Sequence, residues 1–240
     1  MIRMGNGTKR KMPAPSWIAL VLTASVGLAG CGFEPDTPLT IAAAAGRTEE
    51  VEALLAGGAQ VDAKDGEEFT PLVYAAGGGH VETLQVILDH GADPELPAGS
   101  NDWTPLVHAI HHHQNLTALT LLEAGARAEG EGGARALLMA AGYGNAGMVK
   151  ALLERGADPH ASSLLLSDAV GGAWDIDYQW PGCEAHTDTV RLLLEAAPDL
   201  QIGDGFWAWR ALQKAEKRGC TELVHLIEGL EDKTRTSARR

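Results

Sequence analysis

Recognisable catalytic signatures are missing from this 240-residue chain. It has no Gly-x-Ser-x-Gly elbow, no phosphate-cradling glycine loop, and no nucleophile and base identifiable by context. The chain therefore reads as non-enzymatic, with no cofactor and no resident metal. Basic residues are scarce as well: 19 Lys and Arg face 32 Asp and Glu, for a formal net charge of −13. Arg3, Lys9, Arg10 and Lys11 are the only charges in the first thirty residues, so the remainder is more acidic still. Nucleic-acid binding depends on neutralising phosphates with Lys and Arg, which excludes DNA and RNA as partners. The sign fits a soluble body, or one that attracts a basic partner. Long apolar runs are also lacking. The most hydrophobic stretch, Trp17 to Gly30, falls short of the ~20 residues needed to span a bilayer core, so a permanent transmembrane helix is disfavoured.

That stretch has a different meaning. "TKRK", then "WIALVLTASVGLAG", then Cys31, is a basic region, an apolar run and small residues before a cleavage point, the order of a secretory signal. Leu28-Ala29-Gly30-Cys31 resembles the lipobox of bacterial lipoproteins. The resemblance implies that residues 1–30 are removed and that Cys31 receives lipid as the new N-terminus. Two or three acyl chains anchor stably where one anchors marginally. Gly32 stands where many proteobacterial lipoproteins carry an inner-membrane retention aspartate. The expected location is thus the outer membrane facing the periplasm, with the inner membrane or cell surface as alternatives. Residues 31–36 form the tether.

What the chain has in abundance is repetition. "TPL" recurs at Thr37, Thr70 and Thr104, each time followed by small residues, a helical stretch and Gly-Ala. The second helix of each unit carries an apolar stripe at helical spacing. The sets are Val51/Leu54/Leu55, Leu84/Ile87/Leu88, Ala118/Leu121/Leu122, Val149/Leu152/Leu153, Val190/Leu193/Leu194 and Val224/Ile227, the last with Glu228 in third place. Gly58, Gly91, Gly125 and Gly156 follow the first four at the position of a left-handed helix stop. "TPLVYAAGGGHVETLQVILDHGADP" and "ALLMAAGYGNAGMVKALLERGADP" closely resemble ankyrin repeats. The resemblance covers Thr37 to about 230 and implies an all-α solenoid of about six helix-turn-helix units joined by β-turn or hairpin loops, the last two degenerate. Where the family usually has histidine after T-P-L, this chain has Thr40, Val73 and Val107, so the usual helix-start bonding is expected to be incomplete. The fifth repeat carries an insertion, "GAWDIDYQWPGCE", at about 172–184, either a lid or part of the binding surface. The charged segment 231–240 is expected to be a disordered tail.

Alignment of the repeats assigns the remaining residues. In "WTPLVHAIHHHQ", His108 shares a column with Ile41, Tyr74 and Met139 and should be packed. His111 and His112 fall in columns that, by the ankyrin resemblance, border the concave groove. Three roles stand for this run: contact surface, a pH response, or a metal pair from His108 and His112. The first is adopted. The residue preceding T-P-L projects toward the same side in ankyrin proteins, and that column reads Asp36, Phe69, Trp103, Ala134, Ser163 and Trp209. Phe69, Trp103, His111, His112, Tyr143 and Trp209 are therefore the expected partner-binding residues, with Trp174 and Trp180 joining from the insertion. With Cys31 assigned to lipid, Cys183 and Cys220 are expected to pair in an oxidising compartment. Free thiols, or a Cys2His2 zinc set with His186 and His225, are the alternatives.

The combined expectation is a monomeric, membrane-tethered, periplasmic protein-binding module. Alternatives are an immunity or inhibitor protein against a toxin or hydrolase, or an accessory stabiliser of a secreted enzyme. Mass spectrometry of the mature N-terminus should find an acylated Cys31, and Cys31→Ser should release the protein from membranes. An intact Met1 or an unmodified Cys31 would contradict the lipoprotein reading.

Overall fold

The computed structural model describes residues 36–171, 181–202 and 206–237, within a unit spanning Phe33–Arg240. The leader, Cys31 and insertion residues 172–180, including Trp174 and Trp180, lie outside the described residues. Among the described residues, twelve helices fall into six pairs. They are α1 (Pro38–Ala44) with α2 (Thr48–Ala56), α3 (Pro71–Gly78) with α4 (Val81–Asp89), and α5 (Pro105–His111) with α6 (Asn115–Glu123). Next come α7 (Gly130–Gly142) with α8 (Ala146–Leu153), α9 (Leu165–Gly171) with α10 (Cys183–Ala196), and α11 (Phe206–Lys217) with α12 (Thr221–Ser237). The odd-numbered inner helices stack on one another throughout, and among the outer helices α2 packs on α4, α4 on α6, α8 on α10 and α10 on α12. Hairpins are scarcer than expected. Among the described residues, the loops contain one isolated antiparallel bridge, Ala98 to Trp103.

Local chemistry sets each helix start. Thr37, Thr70 and Thr104 are extended N-caps whose Oγ1 atoms accept from the backbone N–H of Thr40, Val73 and Val107 at 3.1, 3.3 and 3.4 Å, and proline at N1 forgoes an N–H that would lack a partner. The reciprocal bond survives in the first repeat alone of these three, where Thr40 Oγ1 accepts from Thr37 N. Valine cannot supply it at 73 and 107. The fourth repeat lacks the Thr-Pro start, and α7 begins earlier, at Gly130, with Glu129 at the N-cap position but no side-chain capping bond. Ala134 therefore sits inside a helix and not on a loop. The four glycines expected to stop outer helices, Gly58, Gly91, Gly125 and Gly156, all have φ between 87° and 100°.

Packing between repeats combines the apolar stripe with a polar one. Val51, Leu84, Ile87, Leu121, Leu152, Val190 and Leu193 are buried, each transfer contributing about 1.5–3 kcal/mol. In the last repeat the stripe is rotated by one residue: Leu223 is fully buried in place of the half-exposed Val224, alongside Ile227. The carbonyls at inner-helix C-termini, which have no partner within their own helix, receive donors from later elements. His80 Nε2 donates to Ala44 O (3.0 Å), Thr117 Oγ1 to Ala76 O (2.9 Å) and His186 Nδ1 to Ala169 O (2.6 Å). Lys214 Nζ and Arg218 both donate to Gly171 O.

Two boundaries differ from expectation. Helix α12 runs to Ser237, through most of the segment read as a disordered tail. Its 231–237 portion continues a helix already begun, so no new nucleation is needed. Cys183 opens α10 and does not belong to an irregular insertion. Its sulfur is bonded to that of Cys220, with the alpha carbons 5.2 Å apart, tying the start of α10 to the start of α12. Closing this loop stabilises the fold by roughly 3–4 kcal/mol in the chain-entropy model. Thiol-blocking reagents on the native protein should label neither cysteine, and reduction should lower the urea midpoint. Stoichiometric labelling of both residues would contradict the bond.

Candidate functional site

The histidine run divides by geometry into four environments. Residues one apart on a helix point ~100° apart, so α5 sends His108 inward and leaves His111 and His112 half-exposed. His113 follows the helix at φ 58°, in the turn between inner and outer helices where the first, second, fourth and sixth repeats have Gly46, Gly79, Gly144 and Gly219 at φ 64° to 76°. Left-handed backbone is disfavoured for a residue with a Cβ, and His113 adopts it with its ring 4.6 Å from that of Tyr143.

His108 lies between two aromatic rings. Its centroid is 5.4 Å from Phe69 and 5.4 Å from Trp103. Its ring bonds the Ala98 backbone, while Nε2 is buried without a hydrogen-bond partner. Desolvation is the main cause that holds its pKa down at about 4, the Ala98 bond opposing it. His111 meets Trp103 edge-on at 4.9 Å and shares a 2.8 Å hydrogen bond between Nδ1 and the Tyr143 hydroxyl. His112 contacts His111 and lies over Gly77, where an added Cβ would come within 3.0 Å of its ring. A continuous run of rings thus crosses the second, third and fourth repeats, from Phe69 to Tyr143.

This arrangement corrects part of the expected contact set. Phe69 is 4% exposed and does not face solvent. The next loop covers it: a Cβ on Gly99 would meet the Phe69 ring at 2.7 Å, so glycine is needed there. Beneath the ring lies Asp65, a buried carboxylate that accepts from Phe69 N (2.9 Å) and the Tyr74 hydroxyl (2.7 Å). Burial and that bond push the Tyr74 hydroxyl's pKa up. Tyr143 is also buried, at 6% exposed. Trp103 is half-buried against the core, and its indole contacts His108 and His111.

Trp209 is different. It aligns in the same column as Phe69 but lies inside α11 and not on a loop, and it is 59% exposed, with no loop among the described residues packed over it. Phe206, at the start of α11, is 57% exposed, with its ring centroid 6.3 Å from that of Trp209 and the Arg210 guanidinium 5.9 Å above it. Phe206 was not anticipated, since it precedes the aligned column. The signal available was the local density of rings in "FWAWR".

Among the described residues, no three His, Cys, Asp or Glu side chains are placed to hold a metal ion. The alternative Cys2His2 set is not assembled. Its cysteines are bonded to each other, His186 is buried against Ala169 O, and His225 lies beside Glu228 at 3.4 Å. Burial is the main cause that holds His186 at about 4, with Arg218 and Lys214 adding to it and the Ala169 bond opposing it. No helix in the described residues is long and apolar enough to cross a membrane.

The class defined by these paired helices, Thr-Pro caps and stacked inner faces is the ankyrin repeat fold. Family profiles agree: one for three ankyrin copies matches residues 19–98, and one for a single repeat matches residues 132–164. The chain carries ankyrin repeats. Solved structures with this fold include the human ASB11 ankyrin repeat domain, at 24% identity over 81% of this chain and 84% of that one, with a TM-score of 0.59. An ankyrin repeat domain from Acinetobacter baumannii AYE matches at 24% identity over 81% and 97%, with a TM-score of 0.63. No curated protein matches the chain significantly.

The two buried histidines generate a pH prediction. Each has a folded pKa near 4, below its unfolded value of 6.5. The unfolded chain therefore binds more protons between those values, and stability present above pH 6.5 is lost as pH falls toward 4, by up to about 3 kcal/mol per histidine. Urea midpoints should fall between about pH 7.5 and pH 5, a window in which ordinary carboxylates remain ionised. A flat profile there would contradict neutral, buried His108 and His186.

Proposed function

We propose that this chain is a non-catalytic protein-binding module, anchored by lipid on Cys31 and working as a monomer at the periplasmic face of the outer membrane. Ankyrin repeats generally serve as protein-interaction modules, which supports the coarse assignment. The lipobox residues and the preceding basic and apolar segments support the anchor and its compartment. The cysteine pair fits an oxidising environment.

The observation that carries the reading is the exposure of Trp209 and Phe206, against the burial of Phe69 in the same column as Trp209. Large rings left in water at the open end of a stack provide apolar area that a partner can cover. Trp103, His111 and His112 form a second, half-exposed contact area on the third repeat. Phe69 and Tyr143 contribute by holding those side chains in place and do not touch the partner.

Crosslinking and affinity capture from intact cells identify the partner. Trp209→Ala and Trp103→Ala should each weaken its binding, by about 2 kcal/mol or more for a ring buried in the interface. Phe69→Ala should instead destabilise the fold, by roughly 3–5 kcal/mol. Folded Trp209→Ala and Trp103→Ala variants, checked by circular dichroism, that bind as tightly as the parent would place the partner elsewhere.

A further inference from the structure

The end of the stack that exposes Trp209 also reverses the charge of the chain. Between positions 34 and 209 there are seven Lys and Arg against 27 Asp and Glu; from 210 onward there are eight against five. Three of the eight, Arg210, Lys214 and Lys217, lie on α11 at helical spacings of four and three, and Arg218 follows in the turn after it. A shallow, open depression on α11 is lined there by Trp209, Arg210, Gln213, Lys214, Glu216 and Lys217. Its lining holds three cations and one carboxylate, Glu216, which accepts from Gln213 Nε2 at 2.9 Å, and Asp168 on α9 acts on Lys214 from outside it. Lys214 Nζ is held in place by its 3.0 Å bond to Gly171 O, so its charge is positioned before any ligand arrives. Desolvation, together with Arg218 and Arg210, lowers the pKa of Lys214 against the opposing effect of Asp168, and an incoming anion would add to that opposition.

We propose that this depression receives an acidic segment of the partner protein, with carboxylates along Arg210, Lys214 and Lys217 and an apolar side chain against Trp209. The proposal rests on the protein-binding reading above and adds the chemistry of what is bound. Arg210 to Lys217 spans about 10 Å of helix, the reach of roughly three residues of extended chain. The match therefore favours a short acidic stretch over a single ion. An anionic membrane surface fits less well, because it would bring the acidic repeats against like charge. The segregation of charge also orients the encounter. An acidic segment is repelled along most of the chain and attracted at this one end.

The test uses the full chain and a fluorescein-labelled ten-residue peptide of glutamates around a central phenylalanine, with its glutamine counterpart as control. Anisotropy should show the glutamate peptide binding at least about tenfold more tightly than the control, with the difference shrinking as salt rises. The exposed-site double variant Gln213→Glu/Lys217→Glu should lose about tenfold in affinity, and Glu216→Gln should tighten binding. Equal binding of the two peptides, no binding of either, or retention on phosphatidylglycerol vesicles without peptide binding would overturn the proposal. If the double variant captures the cellular partner as tightly as the parent does, while Trp103→Ala and Trp209→Ala lose it, the acidic-segment proposal falls and the protein-binding reading stands.

Discussion

Everything in this chain depends on one constraint: no helix pair here can bury its own apolar face or satisfy all of its own carbonyl ends. Near the ends of inner helices, the Ala44, Ala76 and Gly171 carbonyls accept from His80, Thr117 and Lys214 of the following repeat. Leu84, Leu121 and Leu152 are fully buried by the same stacking. The consequence at the ends follows directly. Where a next loop exists, as Gly99 does over Phe69, an aromatic ring is core. At Trp209, inside α11, no loop among the described residues lies over the ring, and it stays in water. One column of the repeat therefore produces both a core residue and a contact candidate.

The solenoid was legible in the sequence because its signals are local and repeated. Thr-Pro caps, the three-four spacing of the outer helices and the left-handed glycines each depend on a few neighbouring residues. The site was less legible because burial of a loop residue depends on the following repeat. Phe69 and Trp209 look alike in alignment, but Phe69 precedes its helix under a following loop while Trp209 lies inside α11 and stays exposed. The histidine run shows the same limit. Spacing separates His108 from His111 and His112, but His113 replaces a glycine in a turn, a role visible only from its backbone. Thr83, Thr117 and Thr189 were likewise overlooked as buried polar residues. Thr117 Oγ1 crosses to Ala76 O and Thr83 pairs with Thr48, contacts that hydrophobic pattern cannot reveal.

Charge adds direction to this architecture. The acidic repeats keep the body soluble and repel anionic surfaces, while α11 and the residues after it carry the opposite sign. The disulfide joins the start of α10 to the start of α12, so the basic end is fixed to the fifth repeat where the stack would otherwise fray. Rigid placement of exposed rings lowers the entropy lost on binding. The most exposed rings among the described residues thus sit on the part of the stack that the covalent link secures.

Hydrogen exchange of the full chain, alone and bound to the captured partner, tests the account most directly. It predicts slowed exchange on binding in α11 and in the 98–113 loop and helix, with α2, α4, α6 and α8 unchanged. Protection confined to those outer helices, with α11 unaffected, would contradict it.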